Sequence, residues 1–175
     1  SLKKKFSLKI KENSQDNLSI CMLNTKNYVN KTMVFLSQIE KTFSNFKNFE
    51  IEGKVNQKKF ENEILDFAKK IELLSKKNHK IIFFLWPLDT KDIFFGNYNF
   101  KKNGKNWLIN FTNVFLTSRI SNIDNVIVID PNYNLLKNDN KIEIFNHKTK
   151  YLTGNNYDFE YISFLADQTS KIFND

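Results

Sequence analysis

The sequence predicts an α/β fold, a three-layer α/β/α sandwich with a short parallel sheet. Two continuous apolar runs, residues 80–86 and 125–130, lack polar alternation, which is typical of strands buried on both faces. Amphipathic helical patterns precede and follow these runs, and this alternation favours parallel strands joined by right-handed crossovers. With 175 residues, the chain is long enough for one domain with a hydrophobic core and short for two.

The first part of the chain predicts a lead-in, a strand and a helix. Residues 1–17 are charged and polar, so we expect a lead-in segment followed by a single domain over 18–175. The opening Ser-Leu-Lys lacks an initiator Met, which suggests a piece excised from a larger protein. The apolar run 18–23 (LSICML) predicts the first strand, ended by polar residues 24–27. Apolar residues at helical spacing then predict a helix over 32–46, with a break at Gly53.

The middle of the chain predicts two helices around the second strand. Residues 57–75 carry the clearest helical stripe, with charged residues opposite the apolar face. The run 80–86 (KIIFFLW) predicts a strand stopped by Pro87, and residues 88–105 predict a long surface loop, which in compact domains is often functional. Helical period returns over 107–119. The residues predicted to face the core there are Trp107, Phe111, Val114, Phe115 and Leu116.

The last third predicts one strand and the closing helix. Residues 125–130 (NVIVID) form the third predicted strand, which ends at Pro131. Residues 132–156 are irregular, with a short edge strand expected at 141–145. Residues 159–173 then place apolar side chains on one side of a final amphipathic helix.

Composition limits the classes of function. The net charge of +8 invites a nucleic-acid interpretation, but 26 of the 27 basic residues are Lys, and 26 Asn accompany them, a bias that an AT-rich bacterial genome produces through its codons. Because base recognition and bidentate phosphate binding favour Arg, we consider an acidic protein a better partner than nucleic acid. The longest apolar run is eight residues, too short to span a membrane. We expect a soluble cytoplasmic domain.

The polar residues after the three predicted strands form the candidate ligand site, because ligands bind beyond the carboxyl ends of parallel strands. Trp86 would supply an apolar wall with a polar edge, and the 88–105 loop could fold over the site. In the alternative interpretation the carboxylates only cap turns and Trp86 belongs to the core. The candidate ligand-binding residues are Asn24, Trp86, Asp89, Asp92 and Asp130.

The residue types that carry catalysis are sparse. Cys21, the one cysteine, lies inside an apolar strand and is expected to pack there. His79 lies in a lysine-rich turn, and His147 lies in an irregular segment with a better claim to catalysis. With one cysteine and two separated histidines, the sequence predicts neither a zinc site nor a disulfide, and it suggests no cofactor. The segment Asp130-Pro-Asn132 approaches the nucleophile motif of haloacid-dehalogenase-like phosphatases, with Asn in place of the second Asp.

Several segments together resemble the SGNH-hydrolase-like domain that precedes the phosphatase domain in haloacid-dehalogenase subfamily IIIC proteins, the glyceryl-loading family of polyketide-type pathways. The segments are LSICMLNTKNYV, LWPLDTKDIFFGNYNF, NVIVID and YDFEYISFLADQTSKIF, the last with its Leu165-Ala166 pair. The resemblance covers residues 18–173. It implies an SGNH/flavodoxin-like α/β fold and an acyl carrier protein as the acidic partner.

This chain departs from the wider SGNH pattern at the catalytic positions. Active members carry Gly-Asp-Ser after the first strand, where this chain has Met22-Leu-Asn-Thr25. They carry Asp-x-x-His before the last helix, where this chain has Asp158-x-x-Tyr161. The resemblance therefore implies a degenerate domain used for binding, because losing triad members costs orders of magnitude in rate. The alternative is an acyl hydrolase or acyltransferase with a rearranged site, its candidate residues being Thr25, Ser163, His147 and Asp158.

Overall fold

A computed structural model shows an α/β fold with a three-stranded, all-parallel sheet. It describes residues 32–78, 80–88, 101–133, 142–146, 148, 151 and 157–174. The strands are β1 (Thr32–Phe35), β2 (Lys80–Phe84) and β3 (Val126–Ile129), in the order β1-β2-β3. In register, Met33 lies opposite Ile81, and Ile81 opposite Val126. The predicted strands near 80–86 and 125–130 are confirmed, and so is the parallel sheet.

The central strand β2 is buried on both faces, as its unbroken apolar sequence predicts. Successive side chains of a strand point to opposite faces. Ile81 and Phe83 belong to one hydrophobic cluster, and Ile82 and Phe84 to a second, with all four side chains at most 3% exposed. Each face of the sheet therefore carries its own apolar core.

In the first cluster, the helices that connect the strands in sequence pack against one face of the sheet. Helix α3 (Gln57–Ser75) has the predicted bounds, and its apolar stripe, including Ile64 and Ile71, is buried. It begins where the side chain of Asn56 accepts a hydrogen bond from the Lys59 backbone N–H, an N-cap that satisfies one free donor of the first turn. Helix α4 (Lys105–Ile120) packs beside α3 on the same cluster.

The prediction of one helix over 32–46 is wrong in its first part, where the structure has β1. The segment holds a strand, a single turn α1 (Ile39–Thr42) and then α2 (Ser44–Glu52). Apolar residues of three different elements happened to fall at helical spacing. Met33 and Phe35 pack on the first cluster and Leu36 on the second, as in a strand that borders two cores. The strand predicted at 18–23 lies outside the described residues.

Helix α4 agrees in part with the predicted core face. Leu116 is buried, and Trp107, Phe111 and Phe115 are partly buried and pack against the first cluster, whereas Val114 is 71% exposed. The buried face mixes apolar residues with polar ones that were not predicted. Its members are Asn106, Leu108, Ile109, Thr112, Asn113, Leu116 and Ile120. The three aromatic rings stack along the helix at 5.2 and 5.6 Å between centroids, so they cover one another.

The second cluster is closed by the last helix, α5 (Phe159–Asn174), which agrees with the predicted 159–173. Tyr161, Phe164 and Leu165 of this helix pack on Ile82 and Phe84 of the sheet. Of the edge strand expected at 141–145, the described residues 142–145 form only an isolated antiparallel bridge, between Phe145 and Tyr157. Within the described residues, no helix is long and apolar enough to cross a membrane.

Candidate functional site at the carboxyl end of the sheet

The carboxyl ends of the three strands bring four segments of the chain together. Residues 36–38 follow β1, residues 85–88 follow β2, and residues 130–133 follow β3. The residues just before α5 join them, because the Tyr157 hydroxyl donates a hydrogen bond to the Ser37 carbonyl at 2.8 Å. This is the edge at which ligands of open α/β sheets bind.

Asp130 begins a short chain of hydrogen bonds from β3 to β2. Its Oδ1 accepts hydrogen bonds from the backbone N–H of Asn132 at 2.9 Å and from the Asn132 side chain at 3.0 Å. The Asn132 Oδ1 in turn accepts a hydrogen bond from the backbone N–H of Leu88 at 3.1 Å. Asp130 therefore caps a turn, as the alternative interpretation holds. Its carboxylate is nevertheless exposed, and its role in ligand binding stays a prediction.

Trp86 lies in the core of the first cluster. Its side chain is 2% exposed, and its ring contacts Phe43, Phe67 and Phe83 at centroid distances of 5.4 to 6.1 Å. This is the core position that the sequence left open as the alternative to a ligand wall. The indole N–H has no hydrogen-bond partner among the described residues, so a buried donor remains beside the strand end.

The backbone of Trp86 is held by Asn113, a residue that the predicted candidate site does not include. The Asn113 Oδ1 accepts a hydrogen bond from the Trp86 N–H at 3.1 Å, and its Nδ2 donates one to the Trp86 carbonyl at 2.8 Å. The amide thus satisfies both backbone groups of a residue just past the end of β2, where the ladder has ended. Asn113 is 7% exposed and comes from the core-facing side of α4.

Two buried tyrosines lie where α5 meets the sheet. Tyr157 is 5% exposed and is hydrogen-bonded to Ser37, whereas Tyr161 is fully buried and its hydroxyl has no partner among the described residues. Burial raises the pKa of the Tyr161 phenol, and the nearby Asp130 carboxylate raises it further. Burial likewise raises the pKa of Tyr157, with smaller contributions from Tyr161 and Glu40. Both phenols therefore remain protonated at neutral pH and cannot act as bases.

Asp158, a candidate catalytic acid, caps the last helix. Its Oδ1 accepts a hydrogen bond from the Glu160 N–H at 2.9 Å, and its Oδ2 accepts one from the Asn146 side chain at 2.8 Å. Its own N–H donates to the Ile144 carbonyl at 3.0 Å. These hydrogen bonds give Asp158 a structural role as the N-cap of α5. The pattern of Asp followed by an amphipathic helix could have revealed this role in the sequence.

Most of the other candidate residues lie outside the described part of the chain. These are Asn24, Thr25, Asp89, Asp92 and His147, together with His79. Ser163 is exposed and lines a groove of about 370 Å³ along the outer side of α5. Asp167 and Lys171 line the same groove. The catalytic roles of these residues stay predictions.

Ser37 is the serine that the structure brings to the strand ends and that sequence reasoning missed. It follows β1 by two residues, a position hidden when residues 32–46 are taken for one helix. Its hydroxyl accepts a hydrogen bond from the Thr42 hydroxyl at 3.1 Å. Among the described residues, no group of three or more His, Cys, Asp or Glu side chains could hold a metal ion.

Comparisons with protein-family models, with characterised proteins and with solved structures found no match to this chain. Its function must therefore be inferred from the residues themselves and from their arrangement.

Proposed function

We propose that this domain is a binding module with a degenerate SGNH-like, three-layer α/β/α arrangement, and that it recognises an acidic protein of the acyl carrier protein type in a polyketide or glyceryl-transfer pathway. The observation that carries the proposal is the state of the Asp158-x-x-Tyr161 segment. The residue at the position of a catalytic base is a fully buried tyrosine whose pKa is raised, and the acid is an N-cap. Neither can activate a hydroxyl for attack on an ester.

The net charge of +8 supports an acidic partner. Electrostatic attraction accelerates association between oppositely charged proteins and selects against partners of the wrong sign. Arginine, which dominates specific contacts to bases and bidentate contacts to phosphate, occurs once, at Arg119. Charge of this lysine type fits a carboxylate-rich protein surface better than a nucleic acid.

Isothermal titration calorimetry with a purified holo acyl carrier protein tests the proposal. We expect micromolar or tighter binding at low salt, weakened as ionic strength rises because exposed charges are screened. A neutral helical protein of similar size is the control and should not bind. Absence of binding to the carrier protein at low salt would overturn the proposed partner.

The acyl hydrolase alternative has one observation in its favour, which is that Ser37 follows β1 at the end where α/β hydrolases place their nucleophile. Turnover of p-nitrophenyl acetate by the intact chain, compared with Ser37→Ala, Ser163→Ala and His147→Ala variants, tests it. If any one of these changes abolishes turnover while the chain stays folded, the domain is an enzyme and not a binding module.

A further inference from the structure

The opposite, amino end of the sheet carries several cations, of which all but the partly buried Lys80 are exposed. Helices α3 and α4 each end just before a strand begins, so their C-termini lie at this end. The Lys80 ammonium lies 5.9 Å from the Phe173 ring centroid, which brings the end of α5 to the same place. We call these cations the amino-end group. Its members are Lys76, Lys77, Lys80, Arg119 and Lys171.

The backbone beneath the amino-end group is held firmly. The Asn125 side-chain amide donates hydrogen bonds to the carbonyls of Ser75 and Asn78, at 2.7 and 2.8 Å. The Ile81 N–H donates to the Asn125 carbonyl at 2.8 Å. The turn that carries Lys76 and Lys77 is thereby tied to the turn before β3, so these two lysines are presented from an ordered surface.

The described residues neutralise the amino-end group only in part. Lys76 forms an exposed ion pair with Glu72 at 3.1 Å, which offsets the charge of that one lysine. Lys80 and Arg119 lie over the rings of Phe173 and Phe115, which leaves their charge in place. Of the described residues in 75–80, 119–125 and 170–173, Asp124 is the one acid.

The carboxyl end has the reverse balance. The segments 36–41, 85–88, 130–133 and 157–161 contain four acids and a single base. The acids are Glu40, Asp130, Asp158 and Glu160, and the base is Lys41. Among these described segments, basic residues outnumber acids at the amino ends of the strands and acids outnumber basic residues at the carboxyl ends. Cations at the amino ends are also stabilised by the negative ends of the helix dipoles.

We propose that the amino-end group is the surface on which an acidic protein partner docks, an inference that rests on the proposed binding function and assigns its location. Leu73 supports it, because its side chain is 51% exposed and lies in the last turn of α3, just before the turn that carries Lys76 and Lys77. A half-exposed apolar side chain beside cations matches an acidic, amphipathic helix of a partner.

Two charge-reversal pairs, one just after the end of α3 and one in its first turn, test this location. Lys76→Glu with Lys77→Glu changes the amino end, and Lys58→Glu with Lys59→Glu makes the same charge change at the start of α3. All four side chains are exposed. The probes are holo acyl carrier protein and poly-L-glutamate, an acidic polypeptide with no carrier-protein fold. We expect the amino-end pair to weaken binding of both probes by about 30-fold or more, and the control pair by at most about threefold.

The outcomes separate the inference from the proposed function. Binding of poly-L-glutamate that the amino-end pair abolishes supports the location even when the carrier protein fails to bind. Equal losses of affinity from the two pairs would overturn the inference, and so would a failure of both probes to bind. Tighter binding of duplex RNA than of poly-L-glutamate would also overturn it. Circular dichroism verifies that each variant is folded. If the charge-reversal variant of the amino end unfolds, the variant Lys77→Ala with Lys171→Ala takes its place, and we expect it to lose about tenfold in affinity.

Discussion

At the carboxyl end of β2, the Asn113 amide binds the N–H and the carbonyl of one residue, Trp86, whereas at the amino end the Asn125 amide donates to the carbonyls of two, Ser75 and Asn78. The first asparagine replaces a neighbouring strand where the sheet has ended. The second donates to the carbonyl of Ser75, the last residue of α3, and to that of Asn78 in the turn that follows. The central strand is thus fixed at both ends by side-chain amides, through different backbone groups.

The asparagines at the two ends differ in burial, and this difference predicts which of them contributes more to stability. Asn113 is 7% exposed, while Asn125 is only partly buried. A backbone group left unpaired in a dry core costs more than one that water can reach. The carboxyl end should therefore tolerate loss of its asparagine less well than the amino end.

The largest effect is expected from Asn113→Ala. It leaves the N–H and the carbonyl of Trp86 unpaired and opens a small cavity, which should lower the free energy of unfolding by about 3 kcal/mol. Urea denaturation measures the loss. Asn110→Ala is the matched control, since Asn110 is exposed on the same helix and alanine favours helices, so its effect should stay within about 0.5 kcal/mol. Equal effects of the two changes would show that the amide contributes no stability.

A smaller loss, about 1 to 2 kcal/mol, is expected from Asn125→Ala, because water can replace part of the two lost hydrogen bonds. Asn122→Ala in the same turn is exposed and should be near neutral. Hydrogen exchange of the Ile81 N–H, which is bonded to the Asn125 carbonyl, should also accelerate in the Asn125 variant. A loss larger than that of Asn113→Ala would reverse the ranking of the two ends.

Neither asparagine could be identified from the sequence. The chain has 26 Asn, and the partners of these two lie 27, 47 and 50 residues away. Helix α3 was predictable because a full apolar stripe fixes one face, and β2 because its apolar run is unbroken. Strand β1 was not, because Val34 and Phe35 fall in phase with Ile39 and Phe43, and only pairing with β2 distinguishes the two patterns.

The carboxyl end also holds a pair of tyrosines that differ in hydrogen bonding. Tyr157→Phe removes a bond to the Ser37 carbonyl and should cost about 1 kcal/mol. Tyr161→Phe removes a buried hydroxyl with no described partner and should be neutral or stabilising by up to about 1 kcal/mol. Comparison of the two variants in urea is internally controlled, since the same atom is deleted from the same type of ring. A loss of 1 kcal/mol or more in Tyr161→Phe would reveal a partner for its hydroxyl.

The same residues predict a dependence on alkaline pH. Each phenol has a raised pKa in the folded chain, so above about pH 10 the unfolded chain has released a proton that the folded chain retains. The unfolded state then binds fewer protons, and the free energy of unfolding falls by about 1.4 kcal/mol per pH unit for each such tyrosine.

Because lysines titrate in the same range, the informative quantity is the difference in the free energy of unfolding between the original chain and Tyr161→Phe. We expect Tyr161→Phe to gain relative stability steadily from pH 10 to 11.5 and to show a constant difference below pH 9. A difference that stays constant across the whole range would mean that the Tyr161 phenol ionises as readily in the folded chain as in water, which full burial beside Asp130 should prevent.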